Sequence, residues 1–528
     1  MAEDMQGGVK GNNRLKTMAI AVARVIYERH LVTLMWILYV TGSLAGPCML
    51  PWFARPGGTD EKALQLGVSR PQIGLMKTAD VVRLYEVERS RMERQESIHV
   101  LHEARVMGES CRGEWKHEGH HRHGLTWYQY KHLPPHAYDV VEATRSDGTE
   151  SILVVFPMKY QRQNKRNDAS LAMSLGHGLG WYLEEQEWLA KNVILLYMDT
   201  SNVTLHAGLK AWMEHIMDGH FDRRIGQVQQ AVIFDVSVSD KGKAIRNRVN
   251  LKIHGWNGQL PNLDMYMVAR KNVELHAPRG TTVWAHDSSA SSPMIDKILS
   301  FIKFMFHHSM GLADGGHAEM LERGIDAVTL QLQFSVDSHG VKGALQIAEG
   351  VVRTLNNLQE TLHHATGLYA LSGPYGLIDI GMYMSCVVLL LLAQVLKTID
   401  AGKRVHAEGV LSWDTAAGKA VLTLACVAYV FVHVQIVSTA RLVDKRIMSK
   451  STLSCAHAMV QIMIFAIFGW KFCGALLDSY GHHQKRATSN NVAVKAIRAA
   501  LLTSIALCLV LYRWSLAWLV LTVMMPIL

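Results

Sequence analysis

The sequence predicts an α/β domain held between membrane-spanning helices, and three observations predict it. Apolar runs long enough to cross a bilayer stand near the N-terminus and fill the last third of the chain. Strand-like and helix-like segments alternate between them. A strongly amphipathic stretch, residues 342–364, closes the middle block. The 528 residues are 49% hydrophobic and 19% charged, with 54 Lys+Arg against 45 Asp+Glu for a net charge of +9. That apolar content excludes disorder, collagen and coiled coil. Seven Cys over so long a chain exclude a disulfide scaffold, and the spans exclude a single soluble domain.

Residues 1–29 carry Lys10, Arg14, Lys16, Arg24 and Arg29 and are expected on the cytosolic side of a first span over 30–51. The apolar run is too long for a signal-peptide core, so it reads as an uncleaved anchor. The next spans are expected from about Gly373 to Lys397, over Gly418–Val437 and over Cys455–Leu477. The apolar stretch Ala496–Leu528, interrupted by Arg513, adds one span or two, so the C-terminal membrane domain, 371–528, holds about four or five. Few charges lie inside these runs, which disfavours a pump or proton relay. The large middle block and the single span before it disfavour a transporter.

The block between, 52–370, is expected in the lumen and is large enough for a full core. Ser151–Pro157, Asn192–Met198, Ala231–Val238, Val249–Ile253 and Ala327–Leu332 read as strands, the first two and the last as short buried ones. Ser170–Trp188 and Met294–His308 read as helices, the second with Ile295, Ile298, Leu299, Ile302 and Met305 apolar. The rhythm predicts a mainly parallel sheet with helices on both faces. In 342–364, Leu345, Ala348, Val352, Leu355 and Leu362 share one face, and the helix is expected to lead straight into the second span.

Most chemistry-bearing motifs have a plain reading. The stretch His117–His123 is His-rich, but neighbouring His on one loop seldom converge on a tetrahedron. Cys111 near His117 and His120 is proximity in sequence, not a thiol–imidazole geometry. There is no Walker loop and no Gly-x-Gly-x-x-Gly after a strand, and the net charge does not require nucleic acid. Asn202-Val203-Thr204 is the one N-glycosylation sequon, making Asn202 a candidate glycan site.

The string Asn257-Gly258-Gln259-Leu260-Pro261-Asn262-Leu263-Asp264 is turn grammar. It also resembles a segment of the GPI-anchor attachment protein family, the large peptidase-like subunit of the GPI transamidase complex. Two further matches accompany it. One is Leu355-Asn356-Asn357-Leu358-Gln359-Glu360-Thr361-Leu362-His363 ahead of Gly381-Met382-Tyr383-Met384; the other is Ala190–Leu196 followed by Gly208-Leu209-Lys210-Ala211-Trp212. The resemblance implies a multi-pass protein of the endoplasmic reticulum membrane with its large domain in the lumen. It implies a noncatalytic subunit that assembles the complex and presents GPI lipid and proprotein for anchor attachment. The implied partners are a cysteine-protease-like catalytic subunit and the other subunits.

The same family implies an α/β domain resembling an M28-type zinc aminopeptidase. Such an enzyme needs two metals to activate water and clamp the reacting oxygens. Where it has His-x-Asp after the first buried strand, this chain has Pro157-Met158-Lys159-Tyr160. Asp168 stands at the bridging position, Asp199-Thr200 replaces the paired glutamates, Asp235 stands at a ligand position, and His317 lies seven residues before Gly324-Ile325. The resemblance thus leaves Asp168, Asp199, Asp235 and His317 as candidate ligands without the usual base. No cofactor is expected, a single ion at these survivors is an open alternative, and a membrane-anchored metal-dependent peptidase is the competing function. Tyr369, Tyr375, Asp379 and Tyr383 are candidates for GPI-lipid or membrane-interface contact, with Gly373, Pro374 and Gly376 loosening the start of the span. Asn257, Gly258, Gln259, Leu260, Pro261, Asn262 and Asp264 form a candidate docking loop for a partner or substrate.

Overall fold

The structure is a computed structural model that describes residues 30–57, 71–73, 75–93, 113–115, 125–128, 136–144, 146–158, 168–200, 204–217, 225–238, 247–285, 288–289, 294–358, 362, 368–407, 495–500, 502–507, 509–510 and 514–527. The chain divides into two units, Met49–Ile380 and Met1–Cys48 with Gly381–Leu528.

In the first unit the strands are β1 (Gly113–Trp115), β2 (Leu125–Tyr128), β3 (His136–Val141), β4 (Glu150–Met158), β5 (Asn192–Asp199), β6 (Gln227–Val238), β7 (Arg248–Lys252), β8 (Thr282–Ala285), β9 (Ser288–Ser289) and β10 (Asp326–Phe334). Among the described residues they form one sheet in the order β1-β2-β3-β5-β4-β6-β10-β7-β8-β9. The apolar strands at the centre, β5, β4, β6 and β10, run parallel. Both faces of β4 and β5 are buried, as their continuous apolar runs require, whereas β10 alternates, with Gln331 and Gln333 half-buried. The expectation of a mainly parallel sheet is corrected at the flanks. The strands β1, β2 and β3 join antiparallel, and β7 runs antiparallel to β10. The sheet is therefore mixed around a parallel core.

The helices are α1 (Leu75–Glu93), α2 (Asp168–Glu184), α3 (Leu205–Met217), α4 (Leu263–His276), α5 (Met294–Met310), α6 (His317–Leu321) and α7 (Ser338–Asn356). On one face α2 and α7 cover Phe156, Phe234, Val236 and Leu332. Gly176 and Gly180 let α2 approach closely, because a Cβ there would meet the Tyr197 ring at 2.4 Å or Leu195 at 2.8 Å. On the other face Leu209, Trp212 and Met213 of α3 and Met320 of α6 pack on Val155, Leu196 and Ile233.

One buried acid stitches the first face together. Glu349 of α7 is fully buried. Its carboxylate accepts from Gln72 N at 2.8 Å, Ile73 N at 2.9 Å, the Tyr182 hydroxyl at 2.7 Å and Arg353 at 3.4 Å. Four donors compensate the cost of taking this charge out of water. Burial and the adjoining carboxylate push the Tyr182 phenol well above its usual range.

Helix α7 begins four residues before the expected start, capped by the Asp337 carboxylate, which accepts from Gly340 N at 2.6 Å. It ends at Asn356, not at residue 364. The Asn356 side chain is committed elsewhere: it accepts from Ala190 N (2.8 Å) and Lys191 N (3.0 Å) and donates to Trp188 O (3.0 Å). No span follows directly. Residues 369–379 form a hairpin of β11 (Tyr369–Leu371) and β12 (Leu377–Asp379), closed by Ser372 N donating to Gly376 O at 2.8 Å. Gly373 takes a φ of 100°, and Pro374 has no N–H for a helix. These residues build a turn instead of loosening a helix start, and the long apolar helix begins at Ile380.

In the second unit, Ile380–Arg404 is the one described helix long and apolar enough to span a bilayer; the bent pair His30–Leu44 and Gly46–Trp52 passes the same test as one span. Gly42 and Gly46 admit Leu390 and Cys386 at distances a side chain would block. Trp518 Nε1 donates to Gly42 O at 3.1 Å, the Tyr39 hydroxyl to Thr522 O at 2.6 Å and Gln394 Nε2 to Ala499 O at 3.2 Å. The spans expected over 418–437 and 455–477 lie outside the described residues.

Replacing Glu349 by Ala is expected to cost about 3 kcal/mol, because the Tyr182 hydroxyl, two backbone N–H groups and Arg353 lose their acceptor. Glu349→Gln should cost less. Thermal unfolding of the full chain in detergent measures both.

Candidate functional site

A polar cluster lies where β7 leaves the sheet and α6 begins. The chain turns after Ile253, and His254 and Asp314 exchange two bonds: Asp314 N donates to His254 O at 3.0 Å, and His254 N to Asp314 Oδ1 at 3.1 Å. Gly315 then passes so close to the sheet that a Cβ would meet Thr329 Oγ1 at 2.7 Å and His317 Nδ1 at 2.9 Å. This close passage seats His317, fully buried, with Nδ1 3.0 Å from Thr329 Oγ1 and Nε2 3.5 Å from Asp314 Oδ1. Burial lowers its pKa to about 4, against the opposing pull of Asp314. The imidazole is therefore neutral at physiological pH.

Two residues on, Glu319 gathers a second set of partners. It accepts from Trp256 Nε1 at 2.9 Å, lies 3.4 Å from His206 Nδ1 and 3.9 Å from Arg323. Burial alone would raise its pKa, but the bonds from His206 and Trp256 and the Arg323 charge hold it below the usual range. Glu319, His206 and Asp314 are not among the residues singled out in the sequence, and Trp256 stands directly before the Asn257–Asp264 string. The one local signal is that Glu319 lies two residues from His317 on the same short helix.

The docking-loop candidates sit beside this cluster and divide by role. Asn257 is exposed with φ 55°, a conformation Asn tolerates better than most residues, and donates its N–H to Gly311 O at 3.0 Å. Gly258 follows at φ 74°, and Gln259 is exposed. Leu260 is half-buried. Pro261, Asn262 and Asp264 are buried. Asn262 caps α4, its Oδ1 accepting from Asp264 N at 2.9 Å while its own N–H donates to Asp326 Oδ1 at 2.9 Å. Burial raises the Asp326 pKa in spite of that bond. The second half of the string thus starts a helix, and only Asn257 and Gln259 are presented to solvent.

The four candidate metal ligands are not brought together. Asp168 opens α2 and accepts from Val238 N at 2.8 Å. Asp235 lies opposite Gln331, which donates to it at 3.5 Å and accepts from Asn250 at 3.4 Å. Asp199 pairs with Met158, whereas Val155 pairs with Ile233, so Asp235 falls level with Pro157. Successive side chains alternate across a sheet, so Asp199 and Asp235 point to opposite faces. His317 sits on the Asp235 face, two positions back at Thr329. Among the described residues no three His, Cys, Asp or Glu side chains are gathered as an ion requires. As placed among the described residues, Asp168, Asp199, Asp235 and His317 do not fit one metal or a pair.

The lipid-interface candidates also separate. Tyr369 is enclosed, its ring 6.2 Å from Tyr266, and burial pushes its phenol up. Tyr375 is 37% exposed, with the Arg270 guanidinium 5.7 Å from its ring centre. Asp379 is exposed, 3.9 Å from Arg55. Tyr383, in the other unit, is buried and stacked at 4.0 Å on Trp514. Asn202 and the stretch 117–123 lie outside the described residues.

A model of the family described as "Gaa1-like, GPI transamidase component" matches residues 136–528. The chain belongs to that family. The GPI transamidase component GAA1 of Saccharomyces cerevisiae is 25% identical over 273 residues, which is 50% of this chain and 42% of the yeast protein. The GPI transamidase component gaa1 of Schizosaccharomyces pombe is 24% identical over 263 residues, 47% of this chain and 43% of that protein. The chain thus matches less than half the length of these relatives. Among solved structures, a putative Zn-dependent exopeptidase from Bacteroides vulgatus has a TM-score of 0.30 at 9% identity, covering 54% of this chain and 97% of its own. The LapA aminopeptidase of Legionella pneumophila has 0.29 at 10%, covering 63% and 75%. Scores this low carry no argument about chemistry.

His317 makes stability depend on acid. Its folded pKa, about 4, lies below the ordinary 6.5, so the unfolded chain binds the extra proton between these values. Stability is then fully present above pH 6.5 and is lost as pH falls toward 4, by about 3 kcal/mol from this residue. His317→Asn is expected to flatten that part of the pH profile of the melting temperature.

Proposed function

We propose that this Gaa1-like chain is a noncatalytic subunit of a GPI transamidase in the endoplasmic reticulum membrane. It holds GPI lipid and proprotein near a separate cysteine-protease-like subunit, which cleaves the C-terminal signal and joins the new carboxyl end to the GPI ethanolamine. One observation carries the noncatalytic part. Asp168, Asp199, Asp235 and His317 are divided between two faces of the sheet, and the bonds of Asp168, Asp235 and His317 tie neighbouring segments together. A hydrolase needs its base and electrophile converging on one reacting atom. Family membership supports the place in the complex, and the apolar helix Ile380–Arg404 supports membrane anchorage.

Presentation needs polar groups at headgroup height. Asp379 and Arg55, both exposed, stand immediately before Ile380 and shortly after Trp52, next to the apolar helices in sequence. A carboxylate there suits the ammonium of a glucosamine or ethanolamine. The exposed Asn257 and Gln259 suit docking of a partner or the proprotein.

Purification from mild detergent, with mass spectrometry and elemental analysis on one sample, tests the reading. A cysteine-protease-like partner in stoichiometric amount without bound zinc is expected. A chain purified alone with stoichiometric zinc would replace it with the metal-dependent peptidase. Asp379→Asn is expected to lower GPI photocrosslinking and transamidation several-fold in the intact complex while leaving the complex assembled; unchanged values would remove Asp379 from the lipid site.

A further inference from the structure

Helix α5 turns an apolar face outward. Its inner side is Ser300, Phe301, Phe304, Met305 and His308, all buried. Ile295, Leu299 and Ile302, spaced four and three residues apart on one stripe, are 67%, 50% and 39% exposed. Lys303 is exposed beside them and Lys297 half-exposed. The sequence pattern alone would place these apolar residues in the core. Three large aliphatic side chains in one exposed stripe mark a surface that meets something other than water.

The stripe lies at a definite place in the unit. Helix α5 packs on the turn Leu50–Trp52, on β11 and on the turn Trp256–Gly258. The segment after Trp52 runs beside β12, with Arg55 N donating to Leu377 O at 2.9 Å and Leu377 N to Arg55 O at 2.8 Å. Both connections to the membrane-helix unit, at Cys48–Met49 and Ile380–Gly381, therefore leave from the end that carries α5. Trp52 and Phe53, 72% and 54% exposed, continue the apolar surface there. This end is also the Asp326 end of β10, through the Asn262–Asp326 bond.

We propose that the outer face of α5 is a lipid-contact surface: Ile295, Leu299 and Ile302 enter the acyl boundary of the bilayer, and Lys303 meets anionic headgroups. An amphipathic helix with an aliphatic stripe, a bordering lysine and neighbouring aromatics is what an interfacial seat requires. A partner protein could cover an apolar stripe equally well. The position beside both membrane connections, with Trp52, Phe53 and Lys303 next to the stripe, favours lipid. The proposal does not depend on the transamidase reading, only on the chain being anchored in a bilayer.

The test uses the full chain in vesicles of phosphatidylcholine and phosphatidylinositol carrying a labelled phospholipid. A photoreactive amino acid is placed at Ile295, Leu299 or Ile302. The control position is His339, exposed beyond the other end of β10, about 25 Å away by strand length. Lipid adducts several-fold above the control at all three positions are expected, rising with phosphatidylinositol content. Adducts no higher than at His339 would overturn the proposal, as would adducts to a second copy of the chain in place of lipid. Adding Leu299→Glu to the Ile302 probe is expected to lower its lipid adduct several-fold. An unchanged adduct in a protein with an unaltered melting temperature would count against the proposal equally.

Discussion

Two central parallel strands, β4 and β5, with no polar face set the terms for the whole α/β unit. Every residue of β5 and nearly all of β4 are buried, so both faces of the sheet must be covered. Helices α2 and α7 cover one face and α3 and α6 the other. The antiparallel strands at the flanks extend the sheet where apolar pressure falls away. The short segments between elements then have fixed distances to bridge, and this is where the buried polar groups are found.

Those polar groups act as stitches. Glu349 holds the segment Gln72–Ile73 against α2 and α7. Lys191, 2% exposed, is held by Gln229 at 2.6 Å and Glu150 at 3.4 Å. Burial pulls its pKa down, partly offset by Glu150. Glu319 ties the Trp256 turn to α3 and α6. Each buried charge has partners, because one without them would cost more than the fold has to spare. The family-like strings belong to the same system. Asn356 from one binds the backbone of Ala190 and Lys191 from another, and Trp212 fills the core between α3 and the sheet.

The unit also has two unlike ends. The Asp326 end of β10 carries the exposed Asn257 turn, the Tyr369–Asp379 hairpin, the outward stripe of α5 and both connections to the membrane helices. The Phe334 end carries the exposed start of α7. The exposed turn, the hairpin and the outward apolar stripe therefore stand at one end of the sheet, away from the exposed start of α7.

Much of the fold was legible in the sequence. The buried strands β4, β5, β6, β7 and β10 stand within a few residues of their expected limits, because a run of Val, Ile and Leu has few other ways to hide its backbone. The strands β1, β2 and β3 were not legible: β1 and β2 are short, and each is defined by the neighbour it pairs with. The period of α5 was visible but not its direction, since it carries apolar residues on both its inner and its outer side and the pattern does not mark which side meets the core. The candidate site shows the same division. The sequence alone put Asp168 just before a helix, Asp199 just after a strand and Asp235 within one. Tertiary structure alone decided that Asp199 and Asp235 point to opposite faces. Facing depends on strand register, set by pairing between distant segments, and a one-residue difference in register turns a side chain through the sheet.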